Sequence, residues 1–248
     1  MGARLDETGA VPRYRAVGDG ALLVEFAPRI APEVNARVRA LLAALDAAPP
    51  PGLRDLVPAY CTLLIEYDPT VTRHAALLEY LRGLVAAPAT VAPTRLVTLP
   101  VAYGGEFGPD LAAVAAHTGL APDEVIARHA AARYPVYFLG FSPGFPYLGG
   151  LDPALHTPRL PEPRLRVPAG AVGIGGAQTG IYPAITPGGW RLIGQTPVRL
   201  YDPAAADPFL LRAGDEIRPR PIAAEEYARL AGEIAAGRYL PEIAEEGR

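Results

Sequence analysis

Apolar residues along the chain either cluster in short runs or recur at steps of three and four, and the succession changes character near residue 94. The run Leu22-Leu23-Val24, within Ala21 to Phe26, predicts a strand. Ile30, Val34, Val38, Leu41, Leu42 and Leu45 then recur at helical spacing around Pro32, a residue suited to a first helical turn, and Pro49-Pro50-Pro51-Gly52 stops that helix. Cys61 to Tyr67 predicts a second strand. Leu77, Leu78, Leu81 and Leu84 give a second helical face, closed by a loop from Pro88 to Pro93. Residues 1–92 therefore read as a small α+β unit. Beyond Thr94 short strands take over, at Leu96 to Val101, Tyr134 to Leu139, Val198 to Tyr201 and Glu216 to Arg218. Two short helices interrupt them: Asp110 to Thr118, ending at Gly119 in a C′ position, and one opened by Pro122-Asp123-Glu124 with acidic residues in its first turn. A last helical stretch runs from Ala223 to about Ala236, and no repeat of 20 to 50 residues is present.

Composition narrows the chemistry. The 248 residues, half of them hydrophobic, carry a net charge of −3, enough apolar content for a buried core. With 29 prolines and 26 glycines, many tight turns and few long helices are expected, not an all-α bundle. All 23 basic residues are arginine. Without lysine the chain alone cannot build a Schiff base, a pyridoxal phosphate anchor or a Walker A loop, while arginine still grips phosphates and carboxylates through its planar fork. The single cysteine, Cys61, permits no internal disulfide, and no Cys/His cluster has zinc-site spacing. No signal-peptide pattern and no apolar run of about 18 residues stand out, so a cytoplasmic protein is expected, without a membrane or nucleic-acid partner.

The stretch from Tyr134 to Leu200 holds 11 prolines and 12 glycines but also eight aromatic rings, among them Phe145, Tyr182 and Trp190. Rings at that density offset the entropy of ordering, so the stretch reads as a folded, turn-rich β region. Five arginines (Arg159, Arg164, Arg166, Arg191, Arg199) face only Asp152 and Glu162 there, which implies an anionic ligand or partner. Two motif matches fail on mechanism. Gly140-Phe141-Ser142-Pro143-Gly144 fits the G-x-S-x-G nucleophile elbow around the only serine, yet the residue after the nucleophile must donate its N–H to the oxyanion, and Pro143 has none. Gly173, Gly175 and the residues after them resemble a dinucleotide fingerprint, but Gln178 stands where the third glycine belongs.

The glycines of Pro168 to Gly176 suit equally a barrel corner and a loop cradling a ligand. Gln178 and Tyr182 follow them, and Thr186-Pro187-Gly188-Gly189-Trp190 forms a further turn, so polar groups among glycine turns offer a pocket. His74, His117, His129 and His156 show no metal-ligand spacing and read as structural, and Asp110 reads as serving its helix end.

The run Gly140 to Leu148, then Pro158-Arg159, Arg166 to Gly176, Gln178 to Pro183 and Pro187-Gly188-Gly189-Trp190 resembles the KipI family, also known as the 5-oxoprolinase B subunit or allophanate hydrolase subunit 1. Gly18 to Ala21 and Val101 to Gly108 extend the likeness over most of the chain. The resemblance implies an α+β fold, with a small N-terminal α+β domain (1–92) and a cyclophilin-like β-barrel domain (93–221), and the helical stretch from Ala223 is expected to form a C-terminal helical tail (222–248). It implies a protein that acts with a homologous, larger KipA-like partner, the 5-oxoprolinase C subunit, and with a third subunit to open 5-oxoproline to L-glutamate at the expense of ATP. The isolated chain is then expected to be inactive, the ATP site shared with the partner and the metal requirement open. Two other readings come with the family: inhibition of a sensor histidine kinase, and a carboxyltransferase-type role in urea or allophanate metabolism. On this basis Arg166, Gln178 and Tyr182 are the expected catalytic group lining one pocket. Phe145, Gly170, Gly173, Gly175, Gly176, Gly188, Gly189 and Trp190 are the expected substrate- or nucleotide-binding residues, with no metal ligand.

Overall fold

In the first unit, residues 1–92, one face of an antiparallel sheet is apolar because Leu22 and Val24 stand opposite Ile65 and Leu63 across the ladder. Its strands are β1 (Arg13–Val17), β2 (Ala21–Glu25), β3 (Leu53–Pro58) and β4 (Thr62–Tyr67), in the order β1-β2-β4-β3. Helices α1 (Pro32–Ala47) and α2 (His74–Ala86) lay Val34, Val38, Leu41, Leu45, Leu77 and Leu81 on that face. The edge strands β1 and β3 escaped the hydrophobic pattern because they are largely exposed. The computed structural model describes residues 11–86 and 94–246, so the expected loop from Pro88 to Pro93 lies outside the described residues.

The second unit is organised around β5 (Thr94–Tyr103), almost wholly buried. The remaining strands are β6 (Tyr134–Leu139), β7 (Pro146–Leu148), β8 (Arg164–Val167), β9 (Ala171–Gly175), β10 (Gln178–Ile181), β11 (Thr186–Gly188), β12 (Arg191–Gln195), β13 (Glu216–Ile222) and β14 (Glu242–Glu246). The main sheet runs β10-β9-β12-β5-β13-β6-β7, and β10 packs again beside β7, so it curls into a nearly closed barrel. Its interior is filled by Val97, Leu99, Val101, Val172, Ile174, Ile181, Ile193 and Ile217. Strands β8 and β11 form a separate ribbon. Among the described residues no helix is long and apolar enough to cross a membrane.

Three elements differ from the sequence reading. Val198 to Tyr201 is not a strand: Val198 and Leu200 are buried, but the only pairing there is an isolated bridge from Tyr201 to Phe209, and Pro197 and Pro203 on either side lack donors. Strand β13 continues past Arg218 through Pro219 and Pro221, running parallel to β5; β6 pairs only with Glu216 and Ile217, so the prolines cost no ladder donor on that side. The C-terminal segment holds helix α5 (Ala224–Ala235) but then returns as β14 to pair with Thr94–Thr98 of β5.

Helices α3 (Leu111–Thr118) and α4 (Pro122–Ala131) pack on one another and on the barrel. His129 of α4 is fully buried, and burial lowers its pKa to about 3. Thr179 Oγ1 donates to the Gly173 carbonyl at 3.0 Å, so towards His129 it accepts, from Nε2–H at 3.0 Å. Nδ1 is then bare and accepts the Tyr103 hydroxyl at 2.7 Å. The neutral imidazole thereby ties α4 to the β9–β10 hairpin.

Candidate functional site

An aromatic pocket of about 390 Å³ opens where the β6–β7 loop, the β8–β11 ribbon and the start of β12 converge. The loop is set by its backbone. Ser142 N–H bonds back to the Gly140 carbonyl at 2.8 Å, a γ-turn centred on Phe141, whose φ of 67° makes it the one non-glycine residue with positive φ among the described residues. That strain throws the Phe141 ring outward, 67% exposed, onto the rim. Phe145 turns inward and stands edge-on to four rings: Phe141 at 5.5 Å, Tyr147 at 5.4 Å, Tyr182 at 5.4 Å and Trp190 at 5.7 Å between centroids. Tyr182 and Trp190 meet edge-on as well, at 6.2 Å.

The indole of Trp190 fits only because glycines stand behind it. A Cβ on Gly175 would come within 2.5 Å of Trp190 Nε1. The Tyr182 hydroxyl needs similar room, since a Cβ on Gly188 would lie 2.5 Å from it. Burial raises the Tyr182 pKa, so the group is a phenol at neutral pH, able both to donate and to accept. The backbone behind Trp190 is clamped by a charge pair: Arg164 Nη2 meets Asp110 Oδ1 at 2.8 Å, while Asp110 Oδ2 accepts the Leu192 N–H at 2.7 Å. Asp110 does occupy the N-cap of α3, yet its side chain makes no capping bond. The expectation that it serves its helix end is corrected, because the carboxylate is spent on Arg164 and β12.

Charge enters the pocket at one point. Arg159 places its guanidinium 5.7 Å from the centroid of the Trp190 ring, and it is the only ionised group among the lining residues. Among the described residues no carboxylate pairs with it. Ser142 Oγ is buried without a hydrogen-bond partner, so no base activates it. No group of three or more potential metal ligands occurs among the described residues.

The family description "Carboxyltransferase domain, subdomain C and D" matches residues 12–211. The 5-oxoprolinase B subunit of Bacillus subtilis (strain 168) is 42% identical over 223 residues, covering 85% of this chain and 93% of that protein. Its namesake in Escherichia coli O157:H7 is 44% identical over 207 residues, covering 83% of this chain and 94% of that protein. The chain belongs to the family of 5-oxoprolinase B subunits. Among solved structures, that of TTHA0988 aligns with a TM-score of 0.75 at 46% identity, covering 82% of this chain and 40% of that one, so this family member spans less than half of TTHA0988. The urea carboxylase of Kluyveromyces lactis aligns with a TM-score of 0.78 at 21% identity over 95% of this chain and 24% of that one, a likeness of fold alone.

Of the residues singled out in this 5-oxoprolinase-family sequence, the structure gathers Phe145, Tyr182, Gly188, Gly189 and Trp190 around the pocket. Gly173 and Gly175 are strand residues of β9 packed behind Trp190, while Gly170 and Gly176 occupy the turns bounding β9, with φ of 79° and 67°. None of these four lines the pocket, and a strand packed on an indole does not fit a phosphate cradle. Arg166 is exposed on β8 and Gln178 is half-buried at the start of β10, and neither is among the residues that line the pocket with Tyr182. Sequence reasoning missed Arg159 as the pocket's arginine. The signal was present in the Pro158-Arg159 pair, but nothing in the spacing says which of five arginines reaches the rings.

Proposed function

We propose that this chain is one component of an ATP-dependent 5-oxoprolinase complex, in which it acts with a homologous larger subunit and a third subunit to open 5-oxoproline to L-glutamate. The observation that carries the reading is the identity of 42–44% with two proteins named as the B subunit of 5-oxoprolinase, over more than nine-tenths of their length. The site is consistent with a supporting role. It offers rings, a phenol and one arginine but no activated nucleophile, so the chain contributes binding and orientation of a small substrate. The pocket and the glycine turns beside it form no fitted phosphate cradle; in this reading ATP is held at a site that the larger subunit completes.

The test is reconstitution. The chain is purified alone, its larger and third partners are purified without it, and all are combined. ADP release dependent on 5-oxoproline is expected only from the combination. Robust turnover by the single chain, or unchanged turnover by the partners without it, overturns the reading.

A further inference from the structure

The aromatic pocket has walls selective for shape and one point selective for charge. Its volume of about 390 Å³ lies at the small end of ligand sites, roughly 300–1,000 Å³. Phe145, Tyr182 and Trp190 pack edge-on to one another and, only 3%, 2% and 6% exposed, form the apolar floor of the pocket. The guanidinium of Arg159 sits 5.7 Å from the centroid of the Trp190 ring, a cation–π distance, and among the described residues no carboxylate takes its N–H donors. A carboxylate is the partner those paired donors match. No protein carboxylate competes: Asp110 is held by Arg164 and the Leu192 N–H, and the pocket lining contains no acid.

We propose that Arg159 is the specificity-determining residue of this pocket, selecting a small planar ring that bears a carboxylate over the same ring without one. The ring lies against Phe145 and Trp190, the carboxylate takes the fork of Arg159, and the Tyr182 hydroxyl, already an acceptor for the Trp190 backbone, has its O–H left to donate to the oxygen of the ring amide. The identity of the ring as a lactam rests on the function proposed above, whereas the demand for negative charge rests on the pocket alone.

Trp190 is the only tryptophan of the chain, so its fluorescence reports on the pocket directly. The full chain is titrated with L-5-oxoproline and with 2-pyrrolidone, the same ring without the carboxylate. A saturable change with 5-oxoproline is expected, with at least tenfold weaker binding of 2-pyrrolidone. Arg159→Ala should lose tenfold or more for 5-oxoproline and stay within about twofold of wild type for 2-pyrrolidone, and Arg159→Lys should fall between. In the reconstituted complex Arg159→Ala should raise KM for 5-oxoproline by the same factor with kcat nearly unchanged. Because Arg159 is exposed, the variant is expected to melt as wild type does. Equal binding of the two rings, wild-type affinity in Arg159→Ala, or no saturable response to either probe overturns the proposal. A complex that turns over 5-oxoproline with an unaltered KM in Arg159→Ala defeats this inference and leaves the proposed function standing. A complex inert towards 5-oxoproline, beside a carboxylate-selective Trp190 response, does the reverse.

Discussion

Lowering the pH from 7 to 5 should destabilise the barrel unit through His129. The imidazole is neutral and fully buried, with its pKa lowered to about 3, against about 6.5 in an unfolded chain. A histidine whose folded pKa lies below its unfolded value contributes its full stability above the unfolded pKa and loses it as pH falls, down to the folded pKa. The affected window is therefore pH 6.5 to 3. Each pH unit inside it costs about 1.4 kcal/mol, so pH 5 should remove about 2 kcal/mol relative to pH 7. The immediate partners supply no offsetting charge: Tyr103, Thr179 and the Tyr134 ring beside the imidazole are all neutral, and Thr179 already donates to Gly173. Urea unfolding followed by Trp190 fluorescence isolates the relevant unit, since Trp190 and His129 both belong to it. His129→Gln keeps a donor and an acceptor on the side chain but does not titrate. It should unfold more easily at pH 7 and show a pH 7-to-5 decrement about 2 kcal/mol smaller than wild type. Equal decrements in the two proteins would refute the buried neutral histidine.

Three other outcomes follow from the site. Ser142→Ala should leave turnover of the reconstituted complex within a few-fold of wild type, measured as ADP release; a loss on the order of a thousandfold would restore a nucleophile. Asp110→Asn removes the charge facing Arg164 and weakens the acceptor for the Leu192 N–H, and should cost about 3 kcal/mol in chemical denaturation, with a shift in Trp190 emission. Gly175→Ala drives a methyl group into the indole and should cost about 1–3 kcal/mol while weakening 5-oxoproline binding, both readable from Trp190 fluorescence.

The five helices were legible because apolar residues at steps of three and four are punctuated by Pro32, Gly119 and Pro122. Strands β2, β4, β5 and β6 were legible as apolar runs. The strands between Pro146 and Gln195 were not, because Gly173, Gly175, Gly180 and Gly188 carry no side chain and leave no alternation to read. Their role is visible only in space, where the missing side chains of Gly175 and Gly188 make room for Trp190 and Tyr182. The rings of the pocket were legible as an aromatic cluster too dense for a disordered segment. Its arginine was not, since Arg164 and Arg166 stand two apart on β8 yet one is drawn to Asp110 and the other is exposed, while Arg159 arrives from outside the strands. Asp110 likewise read as a helix cap, because its pairing with Arg164 spans 54 positions and depends on the barrel having closed.

The most direct test of the central claim is steady-state ADP release by the reconstituted complex over a range of 5-oxoproline concentrations, with the wild-type chain, without it, and with Trp190→Ala. The account predicts saturable, 5-oxoproline-dependent release with the wild-type chain, none without it, and a KM raised at least tenfold by Trp190→Ala. Release that proceeds without the chain, or a wild-type KM in Trp190→Ala, would contradict it.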